Sequence, residues 1–126
     1  MMERILADTN ALGYLQQNHP TVIALLDGKQ VFVSELTEIE LLCNPNLSKE
    51  ERKLTQELLD DCYIIPLNEQ IKKIAITIRL STRMKLIDAI VTATGVWLDI
   101  PILTHDHGFE RAKHVATIIL FEKEAK

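Results

Sequence analysis

Short apolar runs rich in isoleucine and valine alternate with longer helix-patterned stretches along the chain, and this alternation restricts the fold more than any other feature. Residues 3–7 (ERILA), 30–33 (QVFV), 62–66 (CYIIP), 100–103 (IPIL) and a segment within 115–121 (VATIILF) read as strands. Strand, helix and strand in succession close as a parallel pair with the helix crossing one face, and repetition of that unit covers a sheet on both sides. The expected fold class is therefore α/β: an α/β/α sandwich around a central, mostly parallel sheet of four to five strands. With 126 residues, no internal repeat and no linker, residues 1–126 are expected to form one domain. Such sheets bind ligands at the carboxyl ends of their strands, so chemistry is expected in the residues just after each strand.

The helical stretches carry their own punctuation. Residues 10–18 read as a helix broken by Asn18-His19-Pro20, and a short helix over TVIALLDG ends at Gly28. Ser34 is a good cap for a helix over 35–43, because a serine oxygen accepts a free N–H of the first turn; Pro45 closes that helix. Ser48 caps a charged helix over 49–61, and Asn68 caps one running to about Leu80. The connector STRMK leads into a strongly apolar helix over 86–98.

Hydrophobic residues make up 47% of the chain, enough for a core that needs no staples. Cys43 and Cys62 form no C-x-x-C pair and are expected to be reduced, largely buried thiols, as in a cytoplasmic protein. No apolar run approaches the ~18 residues of a membrane span. The acid at position 3 and the brevity of the first apolar run argue against a secretory leader. Acids outnumber bases 18 to 14, for a net charge of −4, whereas surfaces built for non-specific nucleic-acid binding are basic. Clustered carboxylates add negative charge of their own, which a divalent cation offsets, so a nuclease remains compatible. Basic density is local: Arg79, Arg83 and Lys85, then Arg111 and Lys113, a pattern equally suited to a solvated helix face.

Four acids stand in unusual places. Asp8 follows the first strand and Asp106 the fourth, at the sheet edge where sites form; both are also residue types that cap helices and turns. Asp88 is the only charged residue between Leu86 and Leu98, on a stripe with Thr92 and Gly95, where Gly95 permits close approach of a neighbouring element. Its first-turn position also suits the helix dipole. On a helical wheel Glu40 falls in an expected apolar stripe of Leu36, Ile39 and Cys43, while Glu38 points away to solvent. An ionised carboxylate on a buried face is costly unless paired or metal-bound. Several carboxylates meeting at one point repel unless a cation lies between them, and Mg²⁺ or Mn²⁺ suits oxygen donors.

The segments bearing these acids resemble PIN-domain nucleases, most closely the VapC-like toxins of bacterial toxin–antitoxin operons. ILADTNALGYL is similar to the family's opening D-T-N followed by an apolar helix. Ser34-Glu35-Leu36-Thr37-Glu38-Ile39-Glu40-Leu41 is similar to its S-x-x-T-x-x-E-L, with Glu40 as the acid. KLIDAIVTATG is similar to its third helix, with Asp88 as the acid, and ILTHDHGFERA to its strand, T-x-D and aromatic residue. The resemblance spans the chain in order. It implies a PIN-like fold and an endoribonuclease of single-stranded RNA that requires Mg²⁺ or Mn²⁺. Asp8, Glu40, Asp88 and Asp106 would be its catalytic and metal-binding acids, and Asn10, Ser34, Thr37 and Thr104 its supporting polar positions. It further implies an antitoxin protein partner and a homodimer. Ile87 replaces a frequent proline, and His105 stands where a basic residue, often arginine, is frequent; neither change removes an acid.

Rival readings are weaker. A haloacid-dehalogenase-like phosphatase needs a second aspartate two residues after the first, where Asn10 stands. A metal-dependent phosphohydrolase of the His-Asp type, suggested by His105-Asp106, is helical, whereas this pair follows a strand. His105 and His107 lack a nearby cysteine partner for zinc and are expected to be solvent-exposed turn residues. The remaining alternative is a non-catalytic PIN-like module that binds RNA or protein.

Overall fold

The computed structural model of the chain describes residues 2–122. Five strands, β1 (Arg4–Ala7), β2 (Gln30–Ser34), β3 (Tyr63–Ile65), β4 (Ile102–Thr104) and β5 (Ile118–Leu120), form one sheet in the order β3-β2-β1-β4-β5. Every neighbouring pair is parallel. The helices are α1 (Thr9–Gln16), α2 (Pro20–Leu26), α3 (Glu35–Leu42), α4 (Lys49–Asp60), α5 (Glu69–Thr82) and α6 (Leu86–Leu98), with a 3₁₀ helix over His107–Ala112. This is the α/β architecture expected from the alternation of apolar runs.

The period of two along β1 splits the core in two. Leu6 faces one side, in a cluster with Ile71 and Ile78 of α5, Val91 of α6, Ile102 and Phe109. Ile5 and Ala7 face the other, with Leu12 of α1, Val22 of α2, Leu59 of α4, Val33 and Leu103. Each fully buried aliphatic side chain contributes roughly 1.5–3 kcal/mol relative to an exposed one. Helices therefore cover both faces, and the central strand β1 must be apolar on each. No helix among the described residues is long and apolar enough to cross a membrane.

The caps form as expected: Ser34 accepts from Leu36 N, Asn68 from Ile71 N, and Ser48 and Glu51 form a reciprocal capping box. Pro20 does more than break the first helix. It occupies the first position of α2, where its missing N–H goes unneeded, and His19 Nδ1 accepts from Val22 N at 3.4 Å. Helix α5 continues past Leu80 to Thr82 and ends on Arg83, in the left-handed conformation at φ 59°. Strand β4 begins at Ile102, later than the apolar run, because Ile100 N bonds to Gly95 O to close α6 and Pro101 has no N–H to donate. Gly95 brings α6 against β4: a Cβ there would lie 2.6 Å from Ile102 Cγ1.

Two expectations fail on burial. Helix α3 buries Thr37, while Ile39 is 54% exposed and Cys43 is exposed, so Leu36, Ile39 and Cys43 are not its inward stripe. The inward face runs through Thr37, with Glu40 and Leu41 three and four residues on. The thiols are not both largely buried either. Cys43 caps α3 in the open; Cys62 is half-buried, its thiol pushed up to about 11 by burial and then by Asp61.

Candidate active site

The strand order creates the site. From β1 the chain runs outward through β2 and β3 on one side, then returns to place β4 and β5 on the other. The reversal leaves a crevice between the carboxyl ends of β1 and β4, the usual ligand position in an open parallel sheet. Ala7 pairs with Leu103, and Asp8 N donates to Leu103 O at 3.2 Å, so Asp8 and the segment leading to Asp106 leave the sheet side by side.

Asp8 caps α1: its Oδ1 accepts from Ala11 N at 2.8 Å. Its Oδ2 accepts from Thr104 Oγ1 at 2.5 Å. Each carboxylate oxygen has a second lone pair, so these bonds fix the group and leave it able to bind a ligand. Burial pushes the Asp8 carboxyl up from 3.8 to about 6; the bonds from Thr104 and Ala11 and the charge of His105 oppose the shift, and Asp88 adds to it. Asp106 caps the 3₁₀ helix, accepting from Gly108 N at 2.8 Å, while its own N donates to Thr104 Oγ1 at 3.0 Å. Thr104 thus ties the two aspartates together from beneath.

Glu40 reaches in from α3 and accepts from Thr9 Oγ1 at 2.6 Å. Asp88 enters from the first turn of α6. Its carboxyl is raised by burial and by the charges of Asp106 and Glu40, against the lowering effect of Lys85. The four acids line one cavity of about 530 Å³, together with Thr9, Asn10, Lys85 and Phe109. A second cavity of about 560 Å³ adjoins it, sharing Thr9, Asn10 and Glu40.

Of the polar positions singled out in the sequence, Thr104 and Asn10 belong to this cavity or its floor. Ser34 and Thr37 do not line it: Ser34 caps the helix that carries Glu40, and the buried Thr37 hydroxyl has no hydrogen-bond partner among the described residues. Thr9, Lys85 and Phe109 were not singled out as site residues. Thr9 lies inside the D-T-N motif, but its role depends on a partner 31 residues away. His105 is not an open turn residue. Its ring packs edge-on to Tyr14 at 5.0 Å and to Phe121 at 5.7 Å, in a cluster that includes His19. His107 is exposed, as expected, and pairs with Glu110 at 3.0 Å.

Residues 5–115 match the family model described as PIN domain. The chain belongs to the PIN-domain family. No curated protein sequence matches it. Solved structures with the same fold include a toxin–antitoxin complex from Klebsiella pneumoniae, with TM-score 0.78 and 21% identity over 91% of this chain and 95% of that one. FitAcB from Neisseria gonorrhoeae has TM-score 0.76 and 23% identity, covering 90% and 95%. DNA-bound VapBC from Salmonella typhimurium has TM-score 0.78 and 17% identity, covering 94% and 98%.

PIN-domain nucleases generally use divalent metal ions, and the donors around this PIN cavity suit one. Among the described residues no group of three or more His, Cys, Asp or Glu side chains is placed to hold a metal ion directly. Mg²⁺ does not need such a group, because it keeps several waters and is commonly held through one or two carboxylates. Four carboxylates face the cavity with Lys85 as its one cationic lining residue, and burial leaves Asp8 resisting ionisation. A bound divalent cation would supply the missing charge, with Asp8, Glu40, Asp88 and Asp106 as the oxygen donors that could hold it.

Proposed function

We propose that this PIN protein is a metal-dependent endoribonuclease that hydrolyses single-stranded RNA, and that it is the toxin of a VapC-type toxin–antitoxin pair. The observation that carries the nuclease reading is the meeting of Asp8, Glu40, Asp88 and Asp106 around one cavity at the switch point of the sheet. A structural or binding role alone gives no reason to gather four carboxylates with one lysine, since like charges in a partly buried crevice repel.

A bound divalent ion would lower the pKa of a water and stabilise charge on the phosphate. The protein's part is to hold and orient. Thr104 and Ala11 N fix Asp8, Gly108 N fixes Asp106, and Thr9 fixes Glu40. Asp88 has no such hydrogen bond among the described residues, which leaves its carboxylate free to orient an attacking water. Phe109 is buried beneath the cavity and closes its floor with an apolar side chain.

The toxin reading is supported by the fold shared with complexes named as toxin–antitoxin and VapBC assemblies. An antitoxin segment would oppose these acids with a cation, in competition with the metal. Ile76 and Leu80 on α5 are 59% and 80% exposed, apolar surface of the kind that a homodimer covers. The cytoplasm, where RNA and reduced thiols coexist, is the compartment this reading requires.

The test is cleavage of single-stranded RNA with Mg²⁺ or Mn²⁺ and with chelator. Metal-dependent cleavage, lost in Asp8→Asn, is expected; equal cleavage in chelator, or binding without cleavage, refutes the mechanism in favour of a different nuclease or a binding module. Expression alone in a bacterial host should arrest growth, with relief by the cognate small protein. Healthy growth with an active enzyme would refute the toxin reading.

A further inference from the structure

We infer that Arg83, Lys85 and Arg111 form a phosphate-binding rim that grips the backbone of single-stranded RNA as it enters the carboxylate cavity from the α5–α6 side. The inference rests on the proposed ribonuclease function and adds the route by which the strand arrives.

Arg83 and Arg111 are 28 residues apart in sequence, yet Arg111 Nη1 donates to the Arg83 carbonyl at 3.4 Å. Lys85, two residues beyond Arg83, lines the cavity that holds the four acids. All three side chains are exposed. Among the described residues none has an acid within ion-pair distance; the only pairs are Lys72–Glu69 and His107–Glu110. Glu110, beside Arg111 in the chain, is thus engaged elsewhere. Lys85 faces the acids of the cavity, but Arg83 and Arg111 meet with no acid paired to either, and like charges repel, an odd arrangement in a chain with a net charge of −4. A polyanion removes the repulsion.

The backbone holds the rim in place. Arg83 ends α5 at φ 59°, a conformation that glycine or asparagine adopts with less strain. That turn is fixed on one side by Arg79 Nη1, which donates to Met84 O at 2.5 Å, and on the other by Arg111. The guanidinium of Arg83 is therefore presented from a pinned turn, whereas an arginine in mid-helix would sweep a wide arc. Direction follows from the opposite side. The adjoining cavity, reached past Thr9, Asn10 and Glu40, is lined by amide and hydroxyl side chains, Leu41, Leu47, Leu54 and Glu51, with no lysine or arginine. Phosphates are held on the rim side, and the uncharged polar groups beyond the acids face sugar and base edges.

The rim is tested by measuring binding of a fluorescein-labelled single-stranded oligoribonucleotide across a salt series, in an Asp8→Asn background that prevents cleavage. Asparagine retains the cap to Ala11 N. Adding Arg83→Gln and Arg111→Gln is expected to weaken binding by about 10-fold or more and to reduce the slope of log K against log salt by about 1.4, from two lost contacts on a single strand. Lys49→Gln with Lys53→Gln on α4 serves as the charge-matched control and should leave the slope unchanged. Circular dichroism confirms that each variant is folded. If the background protein binds RNA and the rim variant matches it in affinity and slope, or the α4 control weakens binding equally, the rim is refuted alone. If the background protein fails to bind and the wild type fails to cleave, the ribonuclease reading falls and the rim falls with it.

Discussion

Thr104 Oγ1 donates to Asp8 Oδ2 at 2.5 Å, joining residues 96 positions apart, and the same hydroxyl accepts from Asp106 N at 3.0 Å. One threonine on the central strand pair therefore sets the spacing of two candidate ligands. Groups that orient ligands from behind commonly matter about 10–100-fold to metal affinity or activity.

Thr104→Val should accordingly lower RNA cleavage by about 10–100-fold and raise the Mg²⁺ concentration needed for half-maximal rate. Thr104→Ser should restore most of both, because it keeps the hydroxyl. A valine variant with unchanged metal dependence would show that Thr104 serves packing alone.

Burial raises the Asp8 carboxyl from 3.8 to about 6, so the folded protein holds this proton more tightly than the unfolded chain does. Stability in the metal-free protein should then fall as pH rises through that window, by about 3 kcal/mol in all, since each pKa unit is worth about 1.4 kcal/mol. The raised Asp88 carboxyl acts in the same direction. Urea unfolding at about pH 4 and about pH 7 should show a smaller loss in Asp8→Asn than in wild type, and Mg²⁺ should recover stability at the higher pH. Equal pH dependence in the two proteins would contradict the assignment.

Glu40 lines the cavity and is bonded to Thr9, whereas Glu38 lines no part of it. Glu40→Gln should reduce cleavage by about 100-fold or more with the fold retained, and Glu38→Gln should change it less than about 2-fold. Rates measured under single-turnover conditions separate the two; reversed effects would mean that α3 sits in a different register.

A methyl group on Gly95 would meet Ile102 Cγ1 at 2.6 Å and Cδ1 at 2.7 Å. Overpacking of this kind costs about 1–3 kcal/mol, against about 1 kcal/mol gained from the better helix propensity of alanine. Gly95→Ala should lower the melting temperature. Combining it with Ile102→Ala should cost less than the sum of the single changes, which a double-mutant cycle by urea unfolding measures.

Local sequence fixed what depends on neighbours along the chain. The alternation of apolar runs predicted a mostly parallel sheet of four to five strands, and Ser34, Ser48 and Asn68 marked helix starts, because caps and periodicity act within a few residues. Asp8, Glu40, Asp88 and Asp106 stood out as acids at strand ends or on apolar helices, and all four line one cavity.

Tertiary structure decided what depends on partners far away. The wheel of α3 pointed to Leu36, Ile39 and Cys43, but the helix turns Thr37 inward, because its short apolar pattern is nearly symmetric and the elements packed around it choose the face. His105 leaves the solvent for a ring cluster whose members come from α1, the segment before α2 and the residue after β5. The Thr9–Glu40 and Thr104–Asp8 bonds, and the meeting of Arg111 with Arg83, form only when β1 lies between β2 and β4 and the 3₁₀ helix folds back toward the end of α5. Hydrogen bonds of a few ångströms between residues 28 to 96 positions apart leave no periodic trace in the chain, so the sequence named the acids while the sheet order brought them together.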